Sequence, residues 1–296
     1  MNLFISNFKK ISGIFWSFLA MFLLYNIYIA VCTPKITHYQ NQWQRNTAVA
    51  QEFIYSPKAE NIIVGSSLSA RLNPTLLPPT FFNLSFSGGS VLTGLEIIKK
   101  TGYIPKRLYV ETNLIFRFKS TKMINTLFYP VWWRVKAYLP ALQEKYQPLN
   151  VLLSKSFCSK QNSQTPARPK GPKRYRDSKR DINIQRFNLM MKQRKAAYAK
   201  PLNTRNLKAV KRLIHYFEKQ GTQIVFFEMP IDPELANTPQ AQKRRAIIKS
   251  IFKDPWLPLP DYTQYVTADG HHLTHKSAYN YTKDFLNAIQ NLYLDK

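Results

Sequence analysis

The chain has 296 residues, of which 43 are Lys or Arg and 16 are Asp or Glu, for a formal net charge of +27. A hydrophobic share of 45% and an aromatic share of 14% are enough for a folded core and exclude wholesale disorder. The positive charge favours an anionic partner, such as phospholipid, an acidic polymer or nucleic acid, without choosing among them. A single long apolar stretch excludes a multi-pass membrane protein, and Cys158 has no obvious disulfide partner because Cys32 lies in that stretch.

The apolar stretch at 11–32 reads ISGIFWSFLAMFLLYNIYIAVC and has no charged side chain. At about 1.5 Å per residue it spans the roughly 30 Å hydrocarbon core of a bilayer. The residues before Cys32 make a poor signal-peptidase site, which favours an uncleaved anchor over a cleaved signal peptide. Residues 1–10 are then a cytoplasmic head. The rest of the chain is expected to face the periplasm or exterior from the inner (cytoplasmic) membrane, with a single pass.

After a polar linker at 33–58, apolar strands alternate with amphipathic helices. Strands are predicted at 61–64, 80–86, 107–111 and 223–229, and helices at 91–101, 204–221 and 277–294. This alternation predicts an α/β domain at 59–296 with a parallel sheet covered by helices on both faces. Ligands of such sheets bind beyond the carboxyl ends of the strands.

The alternation stops in an insertion at about 117–203. Residues 129–133 (YPVWW) are aromatic and predict either a lid or a membrane-facing patch. Residues 160–200 hold 13 Lys or Arg against two Asp, and 161–180 is rich in Pro, Ser and Lys. Such a charge run is typical of a solvated surface loop, and the sharper alternative is a basic groove for an acidic polymer or lipid head groups.

Ser67 is a candidate nucleophile because Gly65-Ser66-Ser67 follows a predicted buried strand directly. A serine on a strand-to-helix turn stands clear of the sheet, where helix N-terminal amides favour the negative charge of acyl transfer. The alternative is ordinary helix capping, for which small polar residues are also common.

A second candidate block, Asp269-Gly270-His271-His272-Leu273, precedes the last predicted helix. A carboxylate three residues before an imidazole can fix its tautomer and stabilise the imidazolium, which makes His272 a candidate general base and Asp269 its partner. A metal site formed by Asp269, His271 and His275 is the alternative, and it is disfavoured because no second ligand cluster is present. A helix-capping Asp beside surface His residues is the remaining interpretation.

Two further polar turns follow predicted strands. FNLSFSGGS contains Gly88, and VETN ends at Asn113. A glycine amide and an asparagine side-chain amide are suitable hydrogen-bond donors for an oxyanion, although each is also common in turns. The order Ser, Gly, Asn and then Asp-x-x-His, each at a strand end or before a helix, favours one shared site.

With these blocks the chain resembles the SGNH (GDSL-like) hydrolase superfamily over 61–113 and 223–294. The resemblance implies a three-layer α/β/α flavodoxin-like domain. The implied roles are nucleophile for Ser67, general base for His272, orienting acid for Asp269, and oxyanion donors for the Ser67 amide, Gly88 and Asn113. The sequence departs from the family pattern at Ser66, where the family usually has Asp, and at Leu114, where Asp usually follows Asn.

VGSSLSARL, FNLSFSGGS and VETN are most similar to membrane-anchored envelope members of the teichoic-acid D-alanyl transfer and alginate O-acetylation type. Those proteins work beside a membrane-bound O-acyltransferase. The resemblance implies a serine acyltransferase or esterase that moves an acyl group, by first choice acetyl, on an acidic or lipid-linked envelope glycan without a cofactor or metal. The alternative is a non-enzymatic envelope protein that binds glycan or acts as a scaffold. Nucleic-acid binding rests on charge alone and is disfavoured because no recognised motif is visible.

Overall fold

The computed structural model describes residues 2–154, 184–199 and 204–294. The chain divides into two compact units, one formed by Met1–Tyr55 and Leu127–Pro169 and the other by Ser56–Thr126 and Lys170–Lys296. The expected domain at 59–296 is therefore interrupted, because part of its insertion belongs with the N-terminal segment. The centre of the basic run, 161–180, lies outside the described residues.

The described elements follow the predicted alternation. In chain order they are α1 (Asn2–Cys32), α2 (Gln42–Tyr55), β1 (Asn61–Gly65), β2 (Phe81–Ser85), α3 (Val91–Thr101), β3 (Arg107–Glu111), α4 (Thr121–Leu127), α5 (Trp132–Tyr138), α6 (Pro148–Leu153), α7 (Ile184–Ala199), α8 (Thr204–Lys219), β4 (Gln223–Phe227), α9 (Pro233–Ala236), α10 (Pro239–Ile251) and α11 (His275–Leu294). The four predicted strands and three predicted helices are confirmed, with each boundary within two residues of its predicted place. Only a 3-10 turn at Ser69–Arg71 follows Ser67, in place of the expected α-helix.

The second unit is built on a parallel sheet with the strand order β2-β1-β3-β4. Gly65 at the end of β1 pairs with Ser85 at the end of β2, and Glu111 at the end of β3 pairs with Phe227 at the end of β4. The predicted parallel sheet is thus confirmed. Because the strands run the same way, the residues that follow β1, β2 and β3 emerge at one edge.

Helices cover both faces of this sheet. On one face, Tyr109 and Phe227 pack against Phe285 of α11, with ring centroids 5.8 and 4.9 Å away. On the other face, α3 approaches β1 so closely that a side-chain carbon at Gly94 would lie 3.0 Å from Val64 Cγ1. Burial of such large apolar side chains stabilises a fold by about 1.5–3 kcal/mol each.

In the first unit, α1 contains the stretch Ser12–Cys32, which is long and apolar enough to cross a membrane. A membrane anchor and a signal sequence share that length and composition. Cys32 is disulfide-bonded, so its place in the apolar stretch does not keep it out of a disulfide, contrary to the inference from the sequence. The other cysteine of the sequence, Cys158, lies outside the described residues. Disulfides persist in oxidising compartments and are rare in the cytosol.

The segment 33–58, expected to be a polar linker, contains the helix α2. Its polarity is misleading, because two glutamine side chains of this helix are buried and hydrogen-bonded. Gln44 Nε2 donates to the side-chain oxygen of Gln147 at 2.6 Å, and Gln51 Oε1 accepts from the Glu144 amide at 2.8 Å. Polar groups can enter a core when their hydrogen bonds are satisfied there.

Candidate active site

Ser67, His272 and Asp269 form one continuous chain of hydrogen bonds. Ser67 Oγ lies 2.9 Å from His272 Nε2, and His272 Nδ1 lies 2.8 Å from Asp269 Oδ2. An ionised carboxylate only accepts, so Nδ1 carries the proton and Nε2 accepts from the serine hydroxyl. The His272 and Asp269 side chains are 22% and 23% exposed, which leaves a reacting group access from one side. This arrangement can take a proton from the serine during nucleophilic attack.

The loop before α11 is shaped by Asp269 itself. Its other carboxylate oxygen, Oδ1, accepts from the amides of His271 at 3.1 Å and His272 at 2.8 Å. Gly270 has a φ of 80°, in the left-handed region that favours glycine. A side-chain carbon at Gly270 would also meet the sulfur of Met191, a flexible side chain that would have to shift, so the backbone conformation is the main reason for glycine here. The loop therefore fixes the carboxylate before it meets the imidazole.

A buried carboxylate, Glu111, anchors the turn that carries Ser67. It is fully buried at the end of β3 and accepts from Ser66 and Ser69. The two amides lie 2.8 and 3.1 Å from Oε2, and the Ser66 and Ser69 hydroxyls donate at 2.7 and 2.6 Å. A side-chain carbon at Gly65 would lie 2.6 Å from Glu111 Oε2, which explains the glycine. The side chain of Ser66 thus points inward and helps to hold the turn that carries Ser67.

Arg194 of α7 and His272 both donate to the same carboxylate oxygen of Asp269, Oδ2. Arg194 Nη2 donates to Asp269 Oδ2 at 2.6 Å, and its Nε donates to the Asp269 backbone carbonyl at 2.8 Å. Burial alone would raise the pKa of Asp269. Hydrogen bonds from His272 and the positive charge of Arg194 outweigh it and hold that pKa well below its usual range. Asp269 is thus ionised at neutral pH.

His271 is held beside this pair as a neutral base. Arg194 Nη1 donates to His271 Nδ1 at 2.8 Å. Burial, followed by the positive charge of Arg194, lowers the pKa of His271 to about 3. His275, the third candidate of the metal alternative, is exposed at the start of α11. Among the described residues no group of three or more His, Cys, Asp or Glu is placed to hold a metal ion.

The two remaining predicted donors lie at the carboxyl ends of β2 and β3. Gly88, with a φ of 67°, sits in the exposed turn between β2 and α3. Its amide and that of Ser67 donate to no backbone carbonyl within the described ranges. Asn113 is fixed by Met229, since its Nδ2 donates to the Met229 carbonyl at 2.9 Å and its Oδ1 accepts the Met229 amide at 2.7 Å. An Asn Nδ2 carries two hydrogens, so one of them can serve a further acceptor.

The sequence motifs predict no role for Glu111 or Arg194. Glu111 carries a detectable signal, because it is the one acidic residue at the end of the apolar run RLYVE. Arg194 carries no such signal, since it is one of 13 Lys or Arg in 160–200.

Comparison of the chain with protein-family models, curated proteins and solved structures finds no match. A function can therefore be proposed only from the chemistry around Ser67.

Proposed function

We propose that the chain is a membrane-anchored serine acyltransferase or esterase of the SGNH type. The observation that carries the proposal is the hydrogen-bonded chain Ser67–His272–Asp269, with links of 2.9 and 2.8 Å. Serine, imidazole and carboxylate in that order are the parts of a nucleophilic triad on many unrelated folds. The strand order β2-β1-β3-β4 also supports the flavodoxin-like arrangement. In that arrangement ligand sites lie at the carboxyl ends of β1 and β3, where the order of the strands reverses direction.

In the first half-reaction Ser67 Oγ attacks the carbonyl carbon of an acyl ester, and His272 Nε2 takes the hydroxyl proton. Asp269 stabilises the imidazolium that forms. The oxyanion of the tetrahedral intermediate accepts from the amides of Ser67 and Gly88 and from Asn113 Nδ2. The intermediate collapses as the ester C–O bond breaks, and His272 returns the proton to the leaving alcohol.

In the second half-reaction a water or sugar hydroxyl attacks the acyl-Ser67 ester. His272 Nε2 removes the proton of the attacking group, and the acyl carbon passes through a second tetrahedral intermediate in the same donor set. Collapse releases Ser67 Oγ, which recovers its proton from His272. Water as acceptor makes the protein an esterase, and a glycan hydroxyl makes it an acyltransferase.

The packing of α1 favours an anchor over a cleaved signal sequence. Asn26, Ile29 and Cys32 are 8%, 2% and 5% exposed, so the last turns of α1 form part of the folded first unit. Removal of the helix would expose this packing. The disulfide at Cys32 supports an oxidising compartment at that end of the helix, in line with a domain that faces the periplasm or exterior.

The formal charge of +27 favours an acidic or lipid-linked envelope glycan as acceptor. Acetyl is the first choice of acyl group because of the resemblance to alginate O-acetylation proteins. A membrane-bound O-acyltransferase is the expected donor partner, and nucleic acid is not an expected ligand.

The proposal is tested by labelling the full chain with a fluorophosphonate, which reacts covalently with activated serines. We expect labelling of the wild type, none of Ser67→Ala, and normal labelling of Ser250→Ala, an exposed serine on α10. Turnover of an acetylated glycan or a generic ester should follow the same pattern. Full turnover by Ser67→Ala would overturn the proposal. A wild type that binds glycan but neither labels nor turns over would instead favour the non-enzymatic alternative.

A further inference from the structure

The first unit carries an exposed apolar surface on residues 129–153, here called the aromatic surface. Its most exposed members are Tyr129 (60%), Val131 (71%), Trp132 (52%), Tyr138 (85%), Leu149 (46%), Leu152 (68%) and Leu153 (49%). No residue of α5 is buried. Large apolar side chains in such density on one short segment mark a contact surface of a protein or a membrane.

The segment 129–153 is hydrogen-bonded to α1 at two places. The Tyr25 hydroxyl donates to the Tyr146 carbonyl at 2.6 Å, and the Ala141 amide donates to Asn26 Oδ1 at 3.1 Å. Asn26 precedes Cys32 by six residues, or about 9 Å of helix. The segment therefore joins α1 within the apolar stretch and not beyond its end.

The exposed part of α1 near this junction is apolar as well. Leu23, Leu24, Ile27 and Val31 are 48–76% exposed, whereas Asn26 and Ile29 on the packed side are buried. The apolar exterior of the candidate membrane helix and the aromatic surface thus belong to one folded unit. A bilayer that surrounds α1 at Leu24 and Ile27 therefore lies at the same height as the segment 129–153, which is hydrogen-bonded to Tyr25 and Asn26.

We propose that the aromatic surface lies in the lipid interface of the membrane that α1 crosses, at the boundary between head groups and acyl chains. Tyr and Trp favour this boundary because each ring has an apolar body and a polar edge. Arg134 and Lys136 on α5 can reach outward to lipid phosphates while their stems remain in the apolar layer. Glu144 is the one acidic residue in 128–154, so the segment bears a net positive charge toward anionic lipid. The surface would give the anchored chain a second membrane contact, whether or not Ser67 is catalytic.

The test uses native tryptophans of the full chain in vesicles of phosphatidylethanolamine, phosphatidylglycerol and a phosphatidylcholine brominated in its acyl chain. Brominated chains quench only tryptophans in the lipid, and iodide quenches those in water. We expect Trp132→Phe to remove emission that bromine quenches. The matched control Trp43→Phe, at a tryptophan 39% exposed on α2 of the same unit, should remove emission that bromine does not quench. A Tyr138→Trp variant should add emission that bromine quenches.

Three results would overturn the proposal. Emission from Trp132 that iodide quenches would place the aromatic surface in water. Emission that neither reagent quenches would indicate a protein partner or a second copy of the chain. Trp16→Phe should likewise remove emission that bromine quenches, and if it does not, the helix α1 itself is not inserted.

Discussion

The Ser67 hydroxyl lies 2.9 Å from Nε2 of His272, although 205 positions separate the two residues in the chain. Ser67 follows the first strand of the sheet, and His272 lies three residues before the first residue of α11. The parallel sheet brings both to its carboxyl edge, where Asp269 completes the hydrogen-bonded chain. The catalytic roles of the three residues remain predictions, and each can be tested by substitution.

Replacement of Asp269 by Asn should lower kcat on a generic ester by up to about 10⁴-fold. The amide no longer stabilises the imidazolium, and its NH₂ group can force His272 into the wrong tautomer. Asp261→Asn, at an exposed turn, is the matched control and should retain wild-type kcat. Equal rates for both variants would contradict a triad that contains Asp269.

Replacement of Arg194 by Met should lower kcat about tenfold to a hundredfold, with little change in KM. The reason is the loss of charge-assisted hydrogen bonds to Asp269, which contribute about 1.5–3 kcal/mol. Arg194→Lys keeps the charge and should recover part of the rate. Lys195→Met removes the neighbouring exposed ion pair with Glu234 and should leave kcat unchanged. A wild-type rate in Arg194→Met would show that α7 does not position the site.

Replacement of Glu111 by Gln should destabilise the fold around Ser67. The amide can accept fewer of the four hydrogen bonds that Ser66 and Ser69 donate, so buried donors lose their acceptor at about 1–3 kcal/mol each. Thermal unfolding in detergent should show a lower Tm than the wild type. Glu234→Gln, at a residue whose side chain is 68% exposed, should leave Tm unchanged. An unchanged Tm in Glu111→Gln would contradict an anchoring role.

Asn113 is tested by comparison of two substitutions. Removal of an oxyanion donor should lower kcat about 10²–10³-fold, or about 2.7–4 kcal/mol of barrier. Asn113→Ala also removes the hydrogen-bond partner of the Met229 amide and carbonyl, so its loss of rate has two causes. Asn113→Asp keeps an acceptor for the Met229 amide but has no donor, and it should be similarly slow. A wild-type rate in Asn113→Asp would exclude the donor role.

His271 should make stability fall as the pH is lowered from about 6.5 toward 3. Its pKa is lowered from 6.5 to about 3 by burial and by Arg194, so the unfolded chain binds a proton in that range before the folded one does. The pKa of Asp269 also lies below its usual 3.8, so the stability that this ionised group contributes is present above that pH and is lost as the pH falls below about 3.8. His271→Asn can still accept from Arg194 but does not titrate. Its Tm should therefore change less than that of the wild type between pH 6.5 and 4. Parallel Tm curves would contradict this assignment.

Local patterns were sufficient to predict the sheet and the meeting of Ser67 with His272. Buried strands read as apolar runs, and the direction of parallel strands brings residues such as Ser67 and Asn113 to one edge. Arg194 could not be predicted in the same way. Its role depends on where α7 packs, and helix periodicity gives no information about which distant loop a cation on that helix meets. The prediction of a polar linker at 33–58 was wrong for a related reason. The buried glutamines of α2 form hydrogen bonds with partners about a hundred positions away in the chain.

The amino-acid sequence by itself determined the apolar helix, the strand–helix alternation and the polar residues at strand ends, because these follow from short-range periodicity and turn chemistry. Only the tertiary structure decided which charged groups surround those residues. Glu111 is buried and accepts hydrogen bonds from the turn that carries Ser67, and Arg194 donates to Asp269. Residues 129–153 are hydrogen-bonded to α1. The physical reason is that hydrogen bonds and ion pairs are short-ranged in space but unrestricted along the chain.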